Sequence, residues 1–515
     1  MVKKKLLIGD WKRWTVLPVY YGGRRQTGHA LLIGPPGSGK GQALLCNILR
    51  LRSMIIHDLD CENTAVARRE WLRKGYRVYL LNGARMFGLP SNSLNPIDYA
   101  DPNRDDFADR CFFLSGLVAG PTGQEREPFF PSKQLSWRAA EIGWVAATEK
   151  GNRRTLLTVR ENLTLDGPAF RAHAARLAAS EHSFIAAVGN EQLRMADLES
   201  RTLDSVLSGG EEDTRFLESE IARTVLGPTD CRLADLKGRD RNGRRLPSCV
   251  VSVIMPVANV QDQAATLRLI FGCAMLEMTT GDLAREPVWW LIDEAPALKK
   301  FAALTSFLPI ARKHQCRVQL VAQSTAQFRE IYGEHGFSEI ESVCGLKQYL
   351  APRDLETAEF LSRKLGTTTI RTPDKKGEMA RPLMTADEVM RLRERRQIVW
   401  IDQANPFIGA VRPYWERPTQ RFRAGVNPYF GGRLPLIPVT LPFELLLGLI
   451  LRVAGWVLGP SRTFAVLALL LAAWGLGVFD TLPADAARVA CSLDLNGDGR
   501  ADLAGLCSRR ILPWR

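Results

Sequence analysis

Short apolar runs alternate with amphipathic stretches over the first hundred residues. "HALLIG" (29–34) has the continuous apolar character of a buried strand, and the segment after Gly39 has helical spacing. "SMIIHD" (53–58) predicts a second strand, residues 62–74 a helix, and "YRVYLL" (76–81) a third strand. This alternation argues for a parallel sheet with helices on its faces. From about 105 to 235 the pattern turns helical, as in the alanine-rich "FRAHAARLAASEHSFIAAV". Strand character resumes at "CVVSVIMPV" (249–257), and a helix at 262–279, "VWWLID", a helix at 302–314 and "CRVQLVAQ" follow. A strand near "CGLKQYLA", a helix near 354–365 and "QIVWID" (397–402) close the pattern.

The expected architecture is therefore α/β: a RecA-like P-loop domain in two parts, 1–104 and 236–415, split by an all-helical domain at 105–235. Residues 416–440, rich in Pro, Gly and Arg, predict a linker. Beyond it the chain turns strongly apolar. Residues 463–479 are 17 uncharged residues, the short limit for a spanning helix. The preceding run, 441–459, carries Glu444 and Arg452. Three arrangements of 441–480 stay open: a spanning hairpin, one interfacial and one spanning helix, or a buried helical pair.

Length and charge narrow the picture. At 515 residues the chain exceeds one ordinary core, and its net charge of +14 favours a polyanionic partner, nucleic acid or an anionic membrane. The basic N-terminus contains only Leu6-Leu7-Ile8 as an apolar run, too short for a signal peptide. None of the ten cysteines forms a C-x-x-C pair or a zinc-spaced cluster; the eight before residue 440 are expected as buried thiols.

Three constellations carry chemistry. In "GPPGSGKG", Gly34, Pro35, Pro36, Gly37, Ser38, Gly39, Lys40 and Gly41 follow a strand and open a helix. Glycines let backbone N–H groups converge on phosphate oxygens, the helix terminus adds its dipole, and Lys40 neutralises the terminal phosphates. Gly41 stands where Ser or Thr usually supplies a hydroxyl to magnesium. Second, the strand "VWWLI" delivers Asp293, to hold magnesium, and Glu294, to polarise the attacking water. Third, "CRVQLVAQ" ends in Gln323, suited to sensing the terminal phosphate of ATP. In the tail, Asp494, Asn496, Asp498 and Asp502 have the spacing of a partial calcium loop, with Gly499 for the turn but Gly505 at the twelfth position, or they form a plain polar turn. Cys491 and Cys507 bracket it, and a disulfide is expected only if the tail lies outside the cytoplasm.

Taken in order, "GPPGSGKG", "SNSLNPIDYA", "LIDEAPALKKFAAL", "RVQLVAQSTAQFREIYG", "DLETAEFLSRKLGTTTI" and "LMTADEVMRLRERRQIVWI" resemble the type IV secretion coupling proteins, the TraG/VirD-like conjugative DNA-transfer ATPases. The resemblance covers about 30–415. It implies an ATP- and magnesium-dependent motor with Lys40, Asp293, Glu294 and Gln323 at matching positions. It also implies a homo-hexamer, an inner-membrane anchor with the motor in the cytoplasm, and DNA or a relaxase–DNA complex passed to type IV secretion channel components. Two departures stand out. The family's Asp-x-Lys-Gly-Glu run is "DLDCE" here, and the family's anchor is usually N-terminal, whereas the apolar pair is C-terminal. A protein-docking receptor with a weak or vestigial ATPase is the alternative; a chromosome-segregation pump fits the later segments less well.

Overall fold

The computed structural model describes residues 6–10, 18–21, 28–119, 129–198, 201–371, 378–402 and 404–430. Both apolar segments at 441–480, the tail with Asp494, Asn496, Asp498 and Asp502, and Cys491 and Cys507 lie outside the described residues. Among the described residues no helix is long and apolar enough to cross a membrane. The chain divides into two compact units, 1–414 with 423–425, and 415–422 with 426–515. Within the described part of the second lies one short helix, Pro418–Arg421.

Thirteen strands are described: β1 Leu6–Asp10, β2 Pro18–Tyr21, β3 His29–Ile33, β4 Met54–Leu59, β5 Arg77–Leu81, β6 Cys249–Met255, β7 Val288–Ile292, β8 Cys316–Ala322, β9 Cys344–Leu350, β10 Thr367–Arg371, β11 Glu378–Pro382, β12 Arg396–Ile401 and β13 Phe407–Ala410. Eleven form one sheet in the order β2-β1-β13-β12-β9-β3-β8-β7-β4-β6-β5. The seven strands from β9 to β5 run parallel. Helices shield them on both faces, which is why β6 and β7 are buried at every residue and apolar almost throughout. The sheet is not all parallel, as the strand pattern suggested: β12, β13, β1 and β2 extend it antiparallel. The early run Leu6-Leu7-Ile8 is buried in β1, where the Leu7 amide donates to Asn47 at 2.6 Å. Strands β10 and β11 pair separately as a hairpin.

The crossovers after β3 and β4 are α1 (Lys40–Ile48) and α2 (Glu62–Arg73). Between β5 and β6 the described chain is helical, with α3 Phe107–Val118, α4 Phe129–Thr148, α5 Leu156–Leu163, α6 Gly167–Ala178, α7 Ser183–Asp197, α8 Arg201–Thr214 and α9 Glu220–Val225. One hydrophobic core runs from Leu31 and Trp290 in the strands to Ile142, Val159 and Val225 in these helices. A smaller core of Trp137, Phe170, Val188 and Val206 forms among the helices themselves. After β6 come α10 Ala264–Thr279, α11 Ala302–Ala311, α12 Thr325–Val343, α13 Leu355–Leu365 and α14 Ala386–Met390.

Candidate functional site

Register brings the three sequence constellations together. In the parallel sheet Ile33 of β3 lies opposite Ala322 of β8, and Ile292 of β7 lies opposite Leu320 of β8 and His57 of β4. The residues that follow, Gly34, Gln323, Asp293–Glu294 and Asp58, therefore emerge side by side at the carboxyl edge of the sheet, where open α/β sheets place their ligands.

The loop at 34–39 depends on glycine at defined points. A Cβ on Gly34 would come within 2.7 Å of Ser38 Oγ and 2.9 Å of the Leu350 carbonyl, so only glycine packs there. Gly37 and Gly39 have φ of +77° and +100°, backbone that other residues adopt at a cost. Helix α1 starts at Lys40 with Gly39 as its cap and no side-chain hydrogen bond to its first amides. Those amides and the helix dipole thus face the loop, an arrangement that favours an anion. Ser38 is buried, and its hydroxyl has no hydrogen-bond partner among the described residues. Pro36 and Gly37 are exposed at the tip, and Gly41 lies just inside α1 with open space around the position of a Cβ.

Lys40 Nζ donates to the Gly34 carbonyl, folding the ammonium back over the loop. Burial lowers its pKa, while the charges of Glu294 and Asp293 pull the other way. The lysine and both acids are thus within electrostatic reach of one another. Asp293 has its carboxyl deep among protein atoms; burial, then the neighbouring charge of Asp58, raises its pKa well above the usual carboxylate range. Glu294 is also raised by burial, partly offset by the Gln323 and Gln327 amides and by Lys40. Gln323 Nε2 approaches Glu294 Oε2 at 3.5 Å, a long contact, and the Gln323 backbone N–H donates to Gln327 Oε1 at 2.9 Å.

Two further residues belong here that sequence pattern did not single out. Asp58, fully buried at the end of β4, accepts the backbone N–H groups of Asn63 (3.0 Å) and Thr64 (2.7 Å) and so pins the start of α2; burial raises its pKa to about 6. Asn63 then donates its side-chain amide to Asp293 Oδ2 at 3.0 Å. The departure "DLDCE" is accommodated in the same turn. Cys61 holds φ of 63°, a conformation suited to the family's glycine, and Asp60, in place of its lysine, accepts the Val257 N–H at 2.9 Å. Nothing in the spacing of the turn marks Asn63, because its partner is 230 residues away.

The donor set fits a magnesium nucleotide. Magnesium is commonly held by one or two carboxylates, with phosphate and water completing the shell. Accordingly, no cluster of three metal-ligating His, Cys, Asp or Glu residues exists among the described residues. A glycine cradle, unsatisfied helix amides, a buried orphan hydroxyl and an adjacent lysine supply the phosphate half.

Fold and loop together define an α/β protein of the RecA-like type with a P-loop at the carboxyl edge of its sheet. The model of the type IV secretory system conjugative DNA transfer family matches residues 1–430, and the chain belongs to that family of coupling proteins. Among curated relatives, a probable conjugal transfer protein TraG of Sinorhizobium fredii is 25% identical over 370 residues, covering 67% of this chain and 55% of the relative. The conjugal transfer protein TraG of Escherichia coli is 24% identical over 408 residues, covering 71% and 62%. The chain thus spans somewhat over half the length of these relatives. Among solved structures, plasmid coupling protein TrwB in complex with ADP and Mg2+ superposes with a TM-score of 0.58 at 16% identity, covering 80% of this chain and 95% of that one. TrwB in complex with a non-hydrolysable ATP analogue gives 0.57 at 16%, covering 76% and 86%.

Proposed function

We propose that this chain is an ATP-hydrolysing coupling protein that recruits or moves DNA, as a relaxase–DNA complex, into a type IV secretion channel. The observation that carries the proposal is the convergence of Lys40 with Asp293 and Glu294 at one edge of the sheet. Nucleotide and magnesium bound to TrwB in the solved structures support the same cofactors here. Magnesium, when bound, withdraws charge from the β- and γ-phosphates. The loop amides of 34–39 and Lys40 bind and orient the phosphates, and Asp293, ionised on binding, holds the metal. Glu294 orients the attacking water and accepts its proton, a role helped by its raised pKa. Gln323 reads the loss of phosphate and passes it to α12 through Gln327.

In the same reading, 1–104 and 236–415 are the motor and 105–235 the inserted helical domain, which the separate small core among those helices supports. The segments at 441–480 attach the protein to the inner membrane with the motor in the cytoplasm, and six copies assemble as a ring. The test is ATP turnover with and without single-stranded DNA, at low and high salt. DNA should raise turnover in the native chain, salt should weaken the effect, and Lys40→Ala and Glu294→Gln should abolish turnover. Turnover indifferent to DNA at low salt, with transfer intact in Lys40→Ala, would instead establish the docking receptor, the reading that the missing Gly41 hydroxyl favours.

A further inference from the structure

At the opposite edge of the sheet, where β4, β5, β6 and β7 begin, lies a cavity of 440 Å³. Strands of five to seven residues put it about 15–20 Å from the nucleotide loop, too far to be part of that site. Its charged lining is five cations, Arg52, Lys74, Lys237, Arg245 and Arg285, against one acid, Glu286. Three of the cations have work inside the fold. Arg52 pairs with Glu286 at 3.0 Å, Lys74 with Glu70 at 2.9 Å, and Lys237 with Glu277 at 2.9 Å. Lys74 and Lys237 also bond the carbonyls of Leu49 and Thr280. Arg245 and Arg285 are different. Both are exposed, and neither side chain has an ion pair or hydrogen bond among the described residues.

These two guanidinium groups stand on ordered backbone. Arg245 ends the segment "KGRDRNGRR" (237–245), five cations in nine residues. That segment is a closed turn. Asp240 accepts the N–H groups of Asn242 (2.9 Å) and Arg244 (2.8 Å), the Leu246 N–H donates to the Gly238 carbonyl at 3.1 Å, and Arg239 bridges Arg245. The Arg285 N–H donates to the Lys237 carbonyl at 3.0 Å and ties the second segment to the first. A solvated charge run needs no such order. Two guanidinium forks, unpartnered among the described residues and carried on fixed backbone beside a polar cavity, match a doubly charged, multi-oxygen acceptor.

We propose that this cavity is a second anion site that binds a terminal phosphate, a phosphomonoester dianion on a molecule of nucleotide size. The volume falls in the range of small-ligand pockets. It favours an end group seated inside over a nucleic-acid strand running past. The site works independently of ATP hydrolysis, because neither Arg245 nor Arg285 belongs to the nucleotide machinery.

The test is calorimetric titration of the full chain with inorganic pyrophosphate, in the native and Lys40→Ala backgrounds, so that binding at the loop is separated out. The proposal expects binding to persist in Lys40→Ala and to weaken at least about tenfold in Arg245→Glu/Arg285→Glu. Arg176→Glu/Arg194→Glu, the same charge change on exposed arginines of α6 and α7, should leave it unchanged. Cosedimentation with phosphatidylcholine vesicles, with and without phosphatidic acid, identifies a lipid source if the acid-containing vesicles alone pellet the chain and the double variant does not. Pyrophosphate that fails to bind Lys40→Ala, or binds the double variant equally, overturns the proposal. So does a single-stranded oligonucleotide that responds equally to both double variants while pyrophosphate does not bind. Retained ATP turnover in Arg245→Glu/Arg285→Glu confirms that the nucleotide site is intact in either case.

Discussion

Asn63→Ala isolates the chemistry at Asp293. The wild-type amide donates to a carboxyl lodged deep beside a second buried acid, Asp58, both of which burial pushes toward the neutral form. Magnesium needs Asp293 ionised, and the Asn63 bond favours that state. A hydrogen bond to a charged acceptor contributes about 1.5–3 kcal/mol, and about 1.4 kcal/mol is tenfold in affinity. Partners of metal ligands generally matter at the 10- to 100-fold level. The expected result is a half-saturating magnesium concentration raised about 10- to 100-fold, with turnover at saturating magnesium reduced less than about threefold. The start of α2 should survive, because its anchor to Asp58 is the Asn63 backbone N–H, which alanine keeps. The assay is ATP turnover against free magnesium at saturating ATP, with magnesium-free nucleotide binding and thermal melting as controls. An unchanged magnesium midpoint refutes the role of Asn63. A native chain with no magnesium-dependent turnover refutes the nucleotide reading itself.

Other outcomes follow from the same geometry. Gly34→Ala should abolish nucleotide binding and lower stability, since its methyl would sit within 3 Å of Ser38 Oγ and the Leu350 backbone; equilibrium denaturation and nucleotide titration check both. Gly41→Ala should stabilise the chain by about 0.5–1 kcal/mol in urea unfolding, because the Cβ meets open space inside a helix. Gly41→Ser should in addition lower the magnesium midpoint relative to Gly41→Ala, if the missing hydroxyl limits metal binding. His57 is buried at the end of β4 with neither ring nitrogen hydrogen-bonded, and burial lowers its pKa from 6.5 to about 4. Folding therefore favours neutral His57: its contribution is complete above pH 6.5 and is lost as pH falls toward 4, about 3 kcal/mol at 1.36 kcal/mol per unit. His29 shifts in the same direction, while Asp58, raised to about 6, opposes them by losing stability as pH rises. Asp293 and Glu294, also raised by burial, oppose them too, so the histidine part is read by comparison: relative to the native chain, the urea midpoint of His57→Leu should rise as pH falls from 7 to 4.

The parts legible in the sequence are those where local pattern and tertiary role coincide. β3, β7 and β8 are apolar runs that end in glycine, acid and amide, and parallel packing alone brings those ends together. The opposite holds for β1. Its three apolar residues gain meaning only against α1 and beside β13, some 400 residues on, and its Ile8 carbonyl is satisfied by the side chains of Gln348 and Gln397. Short edge strands such as β2, β10, β11 and β13 carry little periodicity of their own, so pairing decides them. Asn63 was hidden for a similar reason: the turn after β4 aims it, and only the neighbouring strand β7 supplies its acceptor.

The wiring out of the site gives the coupling reading its physical route. Gln323 stands between two partners, Glu294 across the site and Gln327 in the first turn of α12. Gln327 is also half of a capping box with Ser324, so the start of α12 is held by the same side chain that anchors Gln323. A change in the hold of Glu294 on Gln323 thus acts on the residue that fixes a helix terminus. From there α12 is tied to α13 by Arg329 with Glu356 and by Glu341 with Lys364. Gly333, at φ of 72°, interrupts α12 between those two ties. The break does not uncouple the two halves: across it Arg329 pairs with Glu334 at 3.1 Å and the Phe328 ring stacks on Phe337. In the proposed coupling reading, a displacement of Gln327 therefore reaches both halves of α12 and, through the Arg329–Glu356 and Glu341–Lys364 pairs, α13.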